Sequence, residues 1–369
     1  MLNGISLFAN IGIAELSLPR NKINISMANE IDPKRVHLYK KLHPKVNVVE
    51  GDISKKIIFS ELISRKYDFV ISTPPCQGMS TAGKMENLDP RNHLIKYSID
   101  LIKKTNPKYI FHENVPGQNN TKIHLKGSTV SIDKFIRQEL DENYKIVSQK
   151  IDMSKFGIPQ SRKRSIYLMT RKDIKKEWVF PNYSKFEKTL FEIIGSLPSL
   201  DPEISDKDVN TVDYFPNYFK KVKKALQVSE FHTPSSHPLR QIISMQHTPT
   251  GKSAFENIKK FQPKSIDGTD IKGFKNTYKR MEWNKPAPTV TTYNRTISSQ
   301  QNVHPGREVK INNNIIFSDP RVLTMYEIMK VMTIEKWNLS SNDNSPLLRS
   351  LVGEGVPPLF VKKCFNQIS

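Results

Sequence analysis

Over its first 170 residues the chain alternates short β-branched runs with helical patterns, and that alternation restricts its fold more than any other feature. Strand patterns fall at ISLFA (5–9), NISMANE (24–30), KVNVVEGD (45–52), YDFVIST (67–73), KYIFHEN (108–114), KIVSQKID (145–152) and RSIYLMT (164–170). Between several of them, PKRVHLYKKLH, NHLIKYSIDLIKK and SIDKFIRQELDE read as helices. Strands joined through helices tend to run parallel, because each crossover returns the chain to the same edge of the sheet. The expectation is an α/β fold with an open, largely parallel, Rossmann-like sheet, binding ligands at the carboxyl ends of its strands.

From about Lys172 to Lys279 the text turns polar and rich in Pro and Ser, with weak strand and helix signals, which predicts a smaller, irregular, loop-rich domain. Regular patterning resumes after RMEWNKPAPTVTT, with a helix predicted at DPRVLTMYEIMKVM and another after GVPP. Three units are therefore expected: 1–171, 172–279, and a segment 280–369 that returns to the first.

Lys and Arg number 57 against 36 Asp and Glu, a formal net charge of +21. Such an excess favours a polyanionic partner, since each neutralised phosphate releases condensed counterions. Nucleic acid is expected rather than a membrane surface, because no strongly amphipathic basic helix stands out. The lysine doublets are scattered, so a diffusely basic surface is the competing reading. No apolar run approaches the roughly 18 residues of a membrane helix. The N-terminal stretch lacks a basic leader region, and Glu15 interrupts its apolar run, so it reads as mature structure. Two cysteines, Cys76 and Cys364, make no disulfide framework and no zinc spacing, and a reducing cytoplasm is the expected location.

The predicted strand ends carry the chemistry. FANIGIAE follows the first strand, where a tight turn lets backbone amides approach a cofactor; Glu30 ends the second, placed to take ribose hydroxyls; Asp52 ends the third, placed to accept from an adenine amino group. A nucleoside cofactor without a pyrophosphate cradle points to S-adenosyl-L-methionine. The fourth strand runs into STPPCQG and the fifth ends at ENV, which sets Cys76 and Glu113 at one sheet edge. Alone, Cys76 reads more readily as a small buried core residue than as a nucleophile. A thiol and an acid on adjacent strand ends suit attack on a ring carbon with hydrogen bonding at a ring nitrogen.

FANIGIAE, NEID, GDI, PPCQG, ENV, QSRKR, RMEWNKPAPTVTT and VGEGVPP follow one another through nearly the whole length. In that order they resemble the DNA (cytosine-5)-methyltransferase family, of the bacterial restriction-modification type. PPCQG, ENV and QSRKR are the specific pieces. The resemblance implies that Cys76 attacks carbon 6 of a cytosine while Glu113 contacts N3 and the exocyclic amine. It implies that Arg162 and Arg164 face the active site and that Gln160 supports the loop among the DNA-binding residues; Asn114 orders the turn. The implied cofactor shell is Phe8, Ala9, Asn10, Ile11, Gly12, Glu30, Ile31, Asp52, Ile53, Pro75 and Leu94. The chain departs from the family pattern at Asn10 and Ile13, where glycine is usual, and at Glu354, where asparagine is usual.

The target carbon is inaccessible in a stacked duplex, so the base must be flipped out at a cost of a few kcal/mol. The segment behind Cys76 resembles the family's closing loop, which makes Ser80 and Lys84 expected phosphate contacts. The irregular segment 172–279 lies where the family keeps its target-recognition domain. Groove reading needs polar side chains on loops, and Arg240, Gln246, Thr248, Thr250 and Lys252 are expected there. TGKS in the same stretch lacks the earlier glycine of a phosphate-binding loop, since position 246 is Gln. The expected partner is double-stranded DNA, with a restriction endonuclease acting on the same site without touching this chain, and a monomer is expected. Competing readings are a tRNA (cytosine-5)-methyltransferase, a non-catalytic DNA-binding relative, and a cysteine hydrolase, for which no paired His is nominated.

Overall fold

The computed structural model describes residues 1–75, 90–125, 128–274, 276–311, 314–335, 337–343 and 345–369. Seven strands form the central sheet: β1 (Leu2–Leu7), β2 (Ile23–Glu30), β3 (Asn47–Glu50), β4 (Phe69–Ser72), β5 (Tyr109–Asn114), β8 (Tyr144–Asp152) and β9 (Lys163–Arg171), while β6 (Lys122–Leu125) and β7 (Ser128–Ser131) form a hairpin. The sheet order is β3-β2-β1-β4-β5-β9-β8. The first five strands are mutually parallel, and β9 runs antiparallel to both β5 and β8. The order reverses between β1 and β4, which is where an open α/β sheet leaves a crevice at its carboxyl edge.

The packing helices are α1 (Pro33–Leu42), α2 (Lys56–Leu62), α3 (Leu94–Thr105) and α4 (Ile132–Leu140). Asp32 caps α1 by accepting from the Lys34 amide, and Pro33 supplies a helix start that needs no N–H donor. Ser131 caps α4 in the same way. Period-two burial assigns neighbouring strand residues to opposite faces. Val70 and Ile110 pack with Ile99, Ile102 and Ile136, whereas Phe69, Ile71 and Phe111 pack with Trp178, Phe360 and Phe365. The latter two come from α11 (Pro358–Phe365), so the C-terminal segment closes one face of the N-terminal sheet. Cys364 is fully buried there, its carbonyl accepts from Trp178 Nε1 at 2.8 Å, and burial pushes its thiol well up. It is a packing residue.

All seven expected sheet strands are present, with differences at the ends. β3 is only four residues long because Gly51, at φ 142°, turns the chain out of the ladder before Asp52. The helix expected over DPRVLTMYEIMKVM begins only at Met325, as α9 (Met325–Val331), because Asp319 is left-handed and Thr324 closes a capping box with Glu327. KIIFSEL and the β6–β7 hairpin carry weak periodicity and form structure nonetheless.

The irregular region holds short elements: α5 (Leu190–Ile194), α6 (Thr211–Tyr214), α7 (Tyr218–Val228) and α8 (Leu239–Gln246), with β10 (Glu203–Ile204) beside β11 (Ser236–His237). One of its clusters joins Met245, Ala254 and Tyr278 to Ile297, Val303 and Val322. The boundary expected at 279 therefore passes through a packed core. Arg280 sits at that junction fully buried, its guanidinium donating to the carbonyls of His304, Asp319, Met245 and Phe317. Beside it, buried Arg321 forms a two-pronged pair with Glu327 and a further bond to Asp319.

Candidate active site

Parallel register brings Leu7, Asn29 and Ser72 level across the sheet, and Ser72 is in turn level with His112, so the ends of β1, β2, β4 and β5 open on one edge. β9 enters that edge from the opposite direction, with Ser165 opposite Asn114 and Ile166 opposite Glu113. Residues two apart share a face, so Arg164 lies on the face of Ile166 and Glu113. Its Nε stands 2.8 Å from Glu113 Oε1, with 13% and 9% of the two side chains exposed.

The turn after β4 is held by this same edge. Asn114 donates through Nδ2 to the Pro74 carbonyl at 3.1 Å and accepts the Val115 amide at Oδ1. Thr73 Oγ1 donates to the Phe8 carbonyl at 3.3 Å. The chain is thus fastened from both neighbouring strands up to Pro74. Cys76, Ser80 and Lys84 lie outside the described residues. Below, buried His112 bridges Ser72 and Gln118, and burial pulls its pKa down to about 4, so it is a neutral hydrogen-bonding group.

The first turn is built from left-handed residues: Phe8, Asn10 and Gly12 have φ of 56°, 53° and 76°. At Gly12 a side chain would be strained, because φ is left-handed and a Cβ would lie 2.3 Å from His43 Nε2. Asn10 takes a left-handed conformation that its side chain tolerates. Its amide donates to Glu30 Oε2, and the Ile31 and Asp32 amides donate to Glu30 Oε1. Desolvation raises the Glu30 pKa; these three bonds and the nearby Arg35 charge oppose that rise. Asp52 is half-buried and caps its own turn through the Ser54 amide. Ile31 stands 62% exposed beside Glu30, and Phe8 and Leu94 are half-buried against the sheet core. The side chains of Ala9, Ile11 and Ile53 are buried in the hydrophobic clusters.

The expected active-site arginines separate. Arg164 is at Glu113, but Arg162 is fully buried and donates to the carbonyls of Val290, Gly353 and Glu354. Through these bonds it clamps the loop before β9 onto the C-terminal segment. Gln160 is likewise buried, accepting the Val290 amide and donating to Met332 Sδ, which places it in the interior and not at a DNA surface.

In the irregular region Thr248 is fully buried and bonded to Ser244 and Asn257, which removes it from groove reading. Gln246 accepts from Tyr214 Oη, and Thr250 donates to the Pro305 carbonyl. Lys252 pairs with Glu256 on the surface. Arg240 lines an open depression of about 560 Å³ with Lys264, Asp267 and Tyr278. Arg35 and Glu354 went unrecognised as site residues: Arg35 donates to both Glu354 oxygens, at 2.7 and 3.2 Å, and Glu354 also accepts from Asn10 Nδ2 at 3.2 Å. The motif departure at Glu354 was the signal available; nothing in the sequence pointed to Arg35. Among the described residues no helix is long and apolar enough to cross a membrane.

The chain is 36% identical to the type II methyltransferase M1.HgaI of Avibacterium volantium over 99% of its own length and 97% of the relative's. It is 25% identical to the type II methyltransferase M.DdeI of Desulfomicrobium norvegicum, over 100% of this chain and 88% of that one. A crystal structure of a prophage-encoded DNA modification methyltransferase from E. coli superposes with a TM-score of 0.66 at 19% identity, covering 100% of this chain and 98% of that one. A Spodoptera frugiperda DNMT2 mutant has a TM-score of 0.60 at 17% identity, covering 100% and 99%. The family model for C-5 cytosine-specific DNA methylases matches residues 2–369, and the chain belongs to that family.

Proposed function

We propose that this enzyme transfers a methyl group from S-adenosyl-L-methionine to carbon 5 of a flipped-out cytosine within a specific double-stranded DNA sequence, through a covalent adduct of Cys76. The observation that carries the reading is the Arg164–Glu113 pair, set at the strand edge where the Asn114–Pro74 bond anchors the turn leading to Cys76.

The crevice suits the cofactor. Asn10 Oδ1 is a buried acceptor with no hydrogen-bond partner among the described residues, and Glu30 has both oxygens oriented by backbone amides. Such an acceptor is costly unless a ligand or water donates to it. Glu30 would hold the ribose hydroxyls, Asp52 the adenine amino group, and Ile31 and Leu94 the apolar faces. When bound, the cofactor supplies an electrophilic methyl on a sulfonium.

Cys76 acts as a thiolate whose sulfur forms a bond to carbon 6, which moves electron density to carbon 5. Glu113 hydrogen-bonds N3 and the exocyclic amine as that density shifts, and Arg164 holds the carboxyl in place. Once carbon 5 carries the methyl, its proton passes to a water molecule as the bond between sulfur and carbon 6 breaks, which restores the ring and returns the electron pair to the thiolate. The +21 charge provides phosphate contacts that offset the cost of flipping the base. The region beyond β9 supplies sequence recognition, and the enzyme works as a monomer in the bacterial cytoplasm, protecting DNA from an endonuclease of the same specificity.

The test is transfer of labelled methyl to DNA and to tRNA in parallel, with Cys76→Ser as control. Label is expected on DNA alone and lost in the variant. Activity surviving Cys76→Ser would sink the covalent mechanism, and label on tRNA alone would sink the substrate.

A further inference from the structure

The three departures from the family pattern, at Asn10, Ile13 and Glu354, meet in space although they are more than 300 residues apart in sequence at the extremes. Asn10 Nδ2 donates to Glu354 Oε2 and to the Leu351 carbonyl, the latter at 3.3 Å. Ile13 lies under the residue that follows Glu354, where a Cβ on Gly355 would stand 2.8 Å from the Ile13 β-carbon. Arg35, from α1, grips both Glu354 oxygens. Glu354 ends α10 (Ser345–Glu354). The end of that helix is thereby tied simultaneously to the first turn and to the helix after Glu30.

We propose that Arg35, Glu354 and Asn10 form a latch that fastens the end of α10 to the cofactor turn and sets the affinity for the nucleoside cofactor, with Arg35 and Glu354 as positioning residues. The proposal rests on the reading of this crevice as the S-adenosyl-L-methionine site. Its route of action is short. The Asn10 backbone donates to Glu30, and the Asn10 side chain donates to Glu354, so one residue couples the ribose-facing carboxylate to the C-terminal helix. Arg35 further favours the ionised form of Glu30. A left-handed Asn with a buried carbonyl oxygen gains orientation from such a tether. Because the Glu354 side chain is 30% exposed, its Coulombic attraction to Arg35 is screened, and the latch acts mainly through geometry.

Calorimetric titration of S-adenosyl-L-homocysteine tests this, using wild type, Arg35→Met, Glu354→Gln, Asn10→Gly and the Asn10→Gly/Glu354→Gln pair. Each single change is expected to raise Kd about three- to tenfold, and the double change is expected to do no more than the worse single, as coupled neighbours behave. In steady-state assays Arg35→Met and Glu354→Gln are expected to raise KM for the cofactor by the same factor while kcat at saturation stays within about twofold. Unchanged Kd, or effects of Asn10→Gly and Glu354→Gln that simply multiply, would overturn the latch. If Arg35→Met lowers the unfolding midpoint, Arg35→Lys carries the test, since it keeps the charge and loses the two-pronged geometry. Wild type failing to bind the homocysteine analogue would instead overturn the cofactor reading.

Discussion

Arg164 meets Glu113 at 2.8 Å across antiparallel strands, and the carboxylate at the end of β5 therefore has a guanidinium partner before any substrate arrives. Glu113→Gln is expected to lower kcat about a hundred- to ten-thousandfold, the usual range for a positioned acid–base group. Arg164→Met leaves a nearly buried carboxylate unpaired and is expected to cost about 3 kcal/mol of stability. Combining the two removes the orphan charge, so the double variant should regain part of that loss in chemical denaturation. A double variant no more stable than Arg164→Met would mean that the pair is not coupled.

Asn114 acts on chemistry through a tether. With its bonds to Pro74 and Val115 gone, Asn114→Ala should let the turn before Cys76 shift, and misplacement of about 1 Å costs on the order of a hundredfold in rate. Single-turnover methyl transfer at saturating cofactor and DNA is the measurement. A rate close to wild type would show that the turn is held by other contacts.

Glu30 titrates higher than an ordinary carboxyl because of burial. Ribose hydroxyls donate best to its ionised form, so affinity for S-adenosyl-L-homocysteine should weaken as pH falls through that raised value. The sign for folding is opposite: the proton is bound more tightly in the folded state, so this group favours folding at low pH and loses that contribution as pH rises through the folded value. Calorimetric Kd measured between pH 5 and pH 8 checks the binding trend, and Glu30→Gln should flatten it.

Three buried histidines make overall stability fall with acid. Burial holds His112 and His304 down at about 4 and His237 at about 3. Each binds its proton more readily once unfolded, so the stability they contribute is present above roughly pH 6.5 and declines as pH drops toward those folded values. For His112 the full difference is on the order of 3 kcal/mol. Unfolding midpoints recorded from pH 7.5 to 5 should decrease, and less steeply in His112→Gln, which can keep bonds to Ser72 and Gln118.

Association with DNA should be steeply salt-dependent, given the +21 charge. If six or more phosphates are contacted, affinity for a duplex should drop by about a thousandfold or more between 50 and 200 mM salt. Fluorescence anisotropy with a labelled duplex gives the slope, and a shallow one would argue against a large phosphate footprint.

The sheet was readable because its strands are short β-branched runs separated by amphipathic helices, and because period two distributes residues such as Phe69 and Val70 to opposite faces. The antiparallel pairing of β9 with β5 is a long-range register with no local signature, yet it is what delivers Arg164 to Glu113. Arg162 shows the limit in the other direction. In sequence it stands two residues before Arg164 and shares that residue's motif reading, and only the fold reveals three backbone carbonyls from positions 290, 353 and 354 converging on it. Thr248 was misassigned for a similar reason: a polar side chain in loop-like text can be satisfied inside as easily as outside. Arg35 had no signal at all, since its partner is 319 residues away.

Arg280 bears on how specificity can be re-engineered. Its four carbonyl acceptors belong to Met245 on one side of position 279 and to His304, Phe317 and Asp319 on the other. A chimera that imports only 172–279 from a relative would place foreign backbone against this guanidinium and split the Met245–Val303–Val322 cluster. The transplantable cassette is therefore longer, running through Val322, and hybrid enzymes cut there should stay soluble where those cut at 279 aggregate.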